Sequence, residues 1–173
     1  MKKVYIVLTH TGTILSKAIR IIKKHEYTHV SISLDECLEQ MYSFGRIHPY
    51  IAFIGGFVHE SPQHGTFKRF PKTKTKIFYI EVTDKQYEKI KKLIKHFTRK
   101  KRYYRFNTLG LLSAAINKKI TKENKFYCAE FIKYILEKSK IKNNLPEIVT
   151  PEDFLHLENI SPIYIGTLKE YPN

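Results

Sequence analysis

The chain has 173 residues, of which 42% are hydrophobic, 12 are Tyr and 11 are Phe, and its net charge is +15. This length is enough for one well-buried domain and too short for two ordinary ones, so we expect a single domain over residues 1–173. The apolar and aromatic content excludes an intrinsically disordered chain. Two cysteines far apart in the sequence, Cys37 and Cys128, exclude a disulfide framework and a four-cysteine zinc site, and they favour free thiols in a reducing compartment.

The excess of basic residues is compatible with an anionic partner, such as a membrane surface or nucleic acid. Lysines on solvated helix faces give the same sum, so the charge alone does not select a partner. The apolar run at residues 4–8 ends after five residues, which is too short for an export signal or a membrane span. We therefore expect a soluble cytoplasmic protein.

The first part of the chain predicts three strands and a helix. Residues 4–8 are β-branched and aromatic, which favours a buried strand, and a polar turn then leads into an amphipathic helix over residues 14–24. Residues 28–34 alternate between apolar and polar side chains, which predicts a half-buried strand with His29 on its polar face. Residues 38–44 are predicted to return as the partner strand of a hairpin.

The register of this hairpin decides which side chains face His29. A two-residue turn places Tyr42 opposite His29 and Gln40 opposite Ser31. A change of one residue in the loop length brings Ser43 or Met41 there instead, because a register shift of one residue exchanges the two faces of a strand.

The second half of the chain contains several helix start signals. Residues 45–75 are rich in Gly, Pro and His and predict an irregular excursion with a short strand at 56–59, followed by a strand at 76–82. Thr83 and Gln86 form a capping box, and Asn107 is placed to cap a short apolar helix over residues 109–116. Thr150 and Pro151 predict another helix start, before a last strand at 163–168. The basic run at 99–105 suits either phosphate binding or helix C-terminal capping, and we do not expect nucleic acid as the partner.

The most informative stretch surrounds Cys128, which opens a strongly amphipathic helix. Its apolar stripe follows the spacing i, i+3, i+4, i+7 and i+8, and consists of Cys128, Phe131, Ile132, Ile135 and Leu136. Asn124 is a plausible cap. The unpaired amides of a helix N-terminus favour an anion, so a thiol at this position ionises more easily than a free one. Cys128 is therefore either a nucleophile or a small buried residue of the stripe.

A thiol nucleophile needs an imidazole within hydrogen-bond reach and a polar group that orients the imidazole. His29 is the candidate imidazole. The joint pattern resembles the circularly permuted papain-like proteins, the YiiX-like branch of the NlpC-type superfamily, which is related to lecithin:retinol acyltransferase. In that branch the strand histidine precedes the helix cysteine, as it does here. The most specific segments of the resemblance are Tyr27-Thr28-His29-Val30-Ser31-Ile32 and Phe126-Tyr127-Cys128-Ala129-Glu130-Phe131.

The resemblance implies an α+β fold with an antiparallel sheet packed against helices. It implies a cysteine hydrolase or acyltransferase that acts on a peptide, an amide or an acyl lipid, with Cys128 as nucleophile and His29 as general base. The orienting residue would lie on the strand after His29, where this sequence offers Gln40 first and Tyr42 second. The alternative is a catalytically weak module on the same fold that binds a lipid or a peptide.

Other kinds of site have weaker support. His59, Glu60 and His64 suggest a metal, but their spacing is one residue too long for the helical two-histidine zinc motif, and Pro62 would break the helix that this motif requires. No glycine pattern of a nucleotide-binding loop occurs. We therefore expect neither a metal nor another cofactor.

Overall fold

The computed structural model describes residues 1–11, 25–48, 50–51, 54–116, 118–120 and 122–172. The helix expected at residues 14–24 lies outside these residues. The described residues form a mixed α+β fold built on one open sheet of eight strands. The strands are β1 Lys2–His10, β2 His29–Ser33, β3 Met41–Arg46, β4 Gly55–Glu60, β5 Lys74–Val82, β6 Arg105–Phe106, β7 Lys125–Phe126 and β8 Ile160–Thr167. The helices are α1 Gly65–Arg69, α2 Asp84–Arg99, α3 Thr108–Ala115 and α4 Cys128–Lys138, with 3₁₀ turns at Pro151–His156 and Leu168–Glu170.

The strand order across the sheet is β7-β6-β4-β3-β2-β1-β5-β8. Neighbouring strands are antiparallel, except for β6 and β7, which are parallel. The predicted strand at residues 4–8 is confirmed as the buried centre of β1, which is longer because it pairs with β5 over nine positions. The short strand expected at 56–59 is likewise confirmed as part of β4.

The two faces of the sheet carry separate apolar clusters. The larger cluster, which we call the main core, lies between the sheet and helices α2 and α4, and it contains Ile6, Ile32, Phe44, Phe97 and Phe131. Aromatic rings interlock at its centre, where the centroids of Phe97 and Phe131 lie 5.1 Å apart. Such pairs add about 1 kcal/mol to the effect of their burial. The main core therefore fixes α4, and Cys128 with it, against β2 and β3.

Most of the predicted helix starts are confirmed. Thr83 and Gln86 form the capping box of α2, and the Asn107 side chain accepts a hydrogen bond from the Gly110 amide at the start of α3. Thr150 begins the 3₁₀ turn that opens with Pro151. The expected cap of α4 was wrong. Tyr127 is its N-cap, because the short strand β7 intervenes between Asn124 and the helix.

The hairpin register also differs from the prediction. The two strands pair as Ile32 with Tyr42 and Ser33 with Met41, because the connection is a seven-residue loop, 34–40, and not a two-residue turn. The Asp35 carboxylate holds this loop by accepting hydrogen bonds from the amides of residues 39 and 40. The register moves by three residues, an odd number, so Tyr42, which was expected opposite His29, lies on the other face of the sheet, and Gln40 lies in the loop.

Within the described ranges, no helix combines the length and the apolar character that crossing a membrane requires.

Candidate active site

His29 is the first residue of β2, at the point where β2 and β3 separate. The hydrogen-bonded ladder between these strands ends at the pair of Ile32 and Tyr42. If the same register continued, Gly45 would lie opposite His29. The Ser43 hydroxyl donates to the Val30 carbonyl at 2.7 Å, so a side chain contributes the hydrogen bond there. The separation of the strands gives the imidazole its room within the sheet. The His29 side chain remains 19% exposed.

Cys128 is the first residue of α4 and is buried. The apolar stripe predicted for this helix is confirmed, since all five of its residues belong to the main core. The N-cap residue Tyr127 has extended backbone geometry and makes no side-chain capping bond. The first amides of an α-helix have no partner within the helix, so the start of α4 is a favourable place for negative charge.

The Cys128 side chain lies near enough to the imidazole to contribute to the raised pKa of His29. The Glu60 carboxylate contacts the imidazole directly. His29 Nε2 lies 3.0 Å from Oε1 and 3.2 Å from Oε2 of Glu60.

Glu60 is the last residue of β4, and its carboxyl group is only 12% exposed. The Ser31 hydroxyl donates to Glu60 Oε2 at 2.5 Å and lies 3.3 Å from His29 Nε2. Ser31 and His29 are two residues apart on one strand, so they share a face. Serine and histidine together hold the carboxylate in place, and a half-buried ion held by several hydrogen bonds is well oriented.

A glycine allows this close approach. A Cβ atom on Gly45 would lie 3.2 Å from Oε1 of Glu60 and 3.4 Å from Cε1 of His29. The first separation is shorter than an ordinary van der Waals contact, so a side chain at position 45 would push against the Glu60 carboxylate.

The electrostatic environment favours the imidazolium form of His29. Burial is the largest single influence and acts to lower the pKa of His29. The opposing influences are the charge and the hydrogen bond of Glu60 and the interaction with the Cys128 side chain. Together they outweigh burial and raise the pKa of His29 from its ordinary 6.5 to about 10.

This shift predicts a pH-dependent stability. A histidine whose pKa is raised on folding stabilises the folded state fully below about pH 6.5, and this stabilisation is lost as the pH rises through about 10. We expect the free energy of unfolding of the wild type to fall by a few kcal/mol relative to His29→Gln over that range. Urea denaturation of both proteins across this pH range measures the difference. A difference that stays constant with pH would contradict the raised pKa.

Gln40 and Tyr42 are not placed to orient His29. Gln40 is exposed in the 34–40 loop, where its backbone N–H donates a hydrogen bond to the Asp35 carboxylate. Tyr42 packs against the main core and stacks on the ring of His59, with 5.0 Å between the centroids. The physical reason is the register shift, which turns Tyr42 away from the face that carries His29. Among the described residues, Glu60 makes the contact that the sequence assigned to Gln40 or Tyr42.

The remaining candidates lie apart from this contact network. Cys37 is exposed in the 34–40 loop. His59 Nε2 lies 2.6 Å from the Glu39 carbonyl. In the part of the chain that the structure describes, no three His, Cys, Asp or Glu residues are grouped so that they could hold a metal ion.

A cavity of about 270 Å³ opens beside the His29–Glu60 pair. Its lining includes Glu60 and Phe67, and the Phe67 ring centroid lies 6.5 Å from that of His29. The half-buried guanidinium of Arg46 also lines it. Burial, and then the nearby Arg69, lower the pKa of Arg46. The cavity therefore combines an apolar wall with charged groups of both signs.

No protein-family model matches the chain, and no curated protein shows significant similarity to it.

Proposed function

We propose that the protein is a cysteine-dependent hydrolase or acyltransferase that acts on an amide, ester or thioester carbonyl through an acyl-enzyme. The observation that carries the proposal is the His29–Glu60 pair, with the Cys128 side chain beside the imidazole at the start of α4. A thiol at a helix N-terminus, an imidazole and a half-buried carboxylate that orients the imidazole are the three groups that suit such chemistry.

In the first half of the reaction, the Cys128 thiolate attacks the carbonyl carbon and forms the carbon–sulfur bond. The carbonyl π electrons move to the oxygen, and the resulting oxyanion is stabilised by the Cys128 backbone N–H at the start of α4. The tetrahedral intermediate collapses and breaks the bond to the leaving group. The His29 imidazolium gives its proton to that group, so a neutral amine, alcohol or thiol departs.

In the second half, neutral His29 takes a proton from water or from an acceptor nucleophile as it attacks the thioester. The carbon–sulfur bond breaks, the product leaves, and thiolate and imidazolium are restored. Attack by water makes the enzyme a hydrolase, and attack by another nucleophile makes it an acyltransferase. Glu60 touches neither substrate nor thiol in this scheme, and it acts by orienting and stabilising the His29 imidazolium.

The order of the site residues along the chain supports a permuted papain-like fold. His29 and Glu60 come from the sheet before the Cys128 helix in sequence, and α4 packs on β2 and β3. The order of His29 before Cys128 is what the resemblance to the YiiX-like branch implies, whereas the orienting residue lies one strand later than it implies. We therefore propose the circularly permuted papain-like architecture, of which the mixed α+β fold is the coarser description.

Trapping the acyl-enzyme tests this function directly. An activated ester such as p-nitrophenyl acetate is mixed with the Cys37→Ser variant, which leaves Cys128 as the one thiol of the chain. We expect a burst of nitrophenolate and a mass increase of one acetyl group, located on the peptide that contains Cys128. Acylation at a lysine instead, or an equal burst from the Cys37→Ser/Cys128→Ala protein, would overturn the proposal.

A further inference from the structure

A groove of about 790 Å³ lies at the sheet edge beside β4 and β6. Its apolar lining includes Ile47, Ile54 and Phe106, and its basic lining consists of Lys101, Arg102, Arg105 and Lys125. The lining residues contain no aspartate or glutamate. A groove with an apolar floor and a uniformly positive wall is complementary to an amphiphile with anionic head groups.

The apolar residues near this groove are unusually exposed. Between β3 and β4, the exposed fractions are 58% for Ile47, 73% for Tyr50, 43% for Ile51 and 53% for Ile54. Ile47 packs beside Gly56, and the amide of residue 47 donates to the carbonyl of residue 54. This backbone bond holds Ile47 and Ile54 together on one projection beside the groove, where burying their side chains in hydrocarbon would be favourable.

The basic residues lie directly beside this projection. Lys101 and Arg102 follow the end of α2, Arg105 is in β6, and Lys125 is in the adjacent strand β7. Arg105 pairs with Gly56 of β4 on one side and with Lys125 on the other, so the sheet itself keeps the charges next to the apolar residues. Three of the four, all but Lys125, are exposed to solvent.

We propose that these eight residues form a docking surface for an anionic lipid bilayer. The defining residues are Ile47, Tyr50, Ile51, Ile54, Lys101, Arg102, Arg105 and Lys125. Three protruding isoleucines suit insertion among acyl chains, Tyr50 suits the head-group level, and the four cations attract anionic head groups. A single-stranded nucleic acid would stack on exposed aromatic rings, which Tyr50 and Tyr103 provide, but it would leave the three exposed isoleucines in water, so we favour the bilayer.

Docking would bring the candidate active site towards the membrane. The groove and the smaller cavity beside Glu60 share the lining residues Ile47, Val58 and His59. The docking surface does not include Cys128, His29 or Glu60. It therefore stands independently of the acyl chemistry, and the two proposals fail separately.

Vesicle binding tests this surface. The wild type is sedimented with phosphatidylcholine vesicles that either contain or lack phosphatidylserine. We expect binding to the anionic vesicles only, weakened about fivefold for each of Lys101→Gln and Arg105→Gln and reduced by added salt. The double variant Ile47→Ser/Ile54→Ser should bind at least about tenfold less well, because it removes most of the buried aliphatic area.

Matched controls distinguish binding through this surface from non-specific adsorption to the vesicles. Ile165 is 66% exposed on β8, at the opposite edge of the sheet, and Ile165→Ser should leave binding unchanged. Cys128→Ala should also bind as the wild type does. The proposal is overturned if Ile165→Ser and Ile47→Ser/Ile54→Ser behave alike. It is equally overturned if an oligonucleotide is bound in preference to anionic vesicles, or if the surface substitutions change only self-association of the protein.

Discussion

The His29→Ala variant is expected to lose turnover of acyl substrates by about 10³-fold or more. Two functions disappear with this one imidazole: the charge that pairs with the Cys128 thiolate, and the proton that the leaving group requires. The same substitution should slow alkylation of Cys128 by iodoacetamide near pH 6, where an ordinary cysteine is almost entirely thiol. Both rates are measured in the Cys37→Ser background, so that the exposed second thiol does not contribute.

A double variant sharpens this test. Residues that act as one catalytic unit are not additive, so Cys128→Ala/His29→Ala should be no slower in turnover than either single variant. His156 is exposed in the Pro151–His156 turn, and His156→Ala serves as the matched control that should keep full activity. If His29→Ala retained both fast alkylation and turnover, Cys128 would be a buried packing residue and the proposed function would be wrong.

Local sequence patterns predicted the two candidate residues because both patterns are short-range. The stripe spacing that places Cys128 at the start of a helix spans nine residues, and the alternation that places His29 on the polar face of β2 spans seven. Such periodicities report directly which side chains share a face. The structure confirms both the helix and the strand, and it also brings the two side chains together.

Glu60 could not be found in the same way, because its position depends on loop geometry. The assignment of Gln40 and Tyr42 required a two-residue turn after β2, whereas Asp35 organises a seven-residue loop there. The Glu60 carboxylate comes from a third strand, 31 positions after His29. The sequence nevertheless contained an indication of Glu60. Side chains alternate along the strand predicted at 56–59, so Phe57 and His59 share one face and Val58 the other. If this strand continues by one residue, it ends with the Glu60 carboxylate on the face opposite to Phe57.

The polar face of β2 carried a second signal. His29 and Ser31 are adjacent on one face of a strand in the middle of the sheet, and buried polar groups require partners. A neutral amide or phenol satisfies an imidazole less well than a carboxylate does, since a carboxylate also stabilises the imidazolium. The chemistry of the face therefore favoured an acidic partner even though the register was unknown.

The Glu60→Gln variant is expected to lose little activity at low pH and much more activity at high pH. Glutamine keeps the size of the side chain and can still hydrogen-bond His29, but it removes the charge that raises the pKa of His29. That pKa should therefore fall towards its ordinary value. We expect kcat/KM to drop little near pH 6 and by about 10²-fold near pH 8, because His29 then loses the proton that the leaving group needs.

Two measurements separate this positioning role from a merely structural one. In the pH profile of kcat/KM, the decline on the alkaline side should move to lower pH. An NMR titration of the His29 Cε1 proton should show the same lowered pKa. Glu81 is an exposed carboxylate on β5, so Glu81→Gln should leave both measurements unchanged. If Glu60→Gln instead reduced kcat/KM equally at every pH, its effect would be steric. The carboxylate would then hold the shape of the site without controlling the charge of His29.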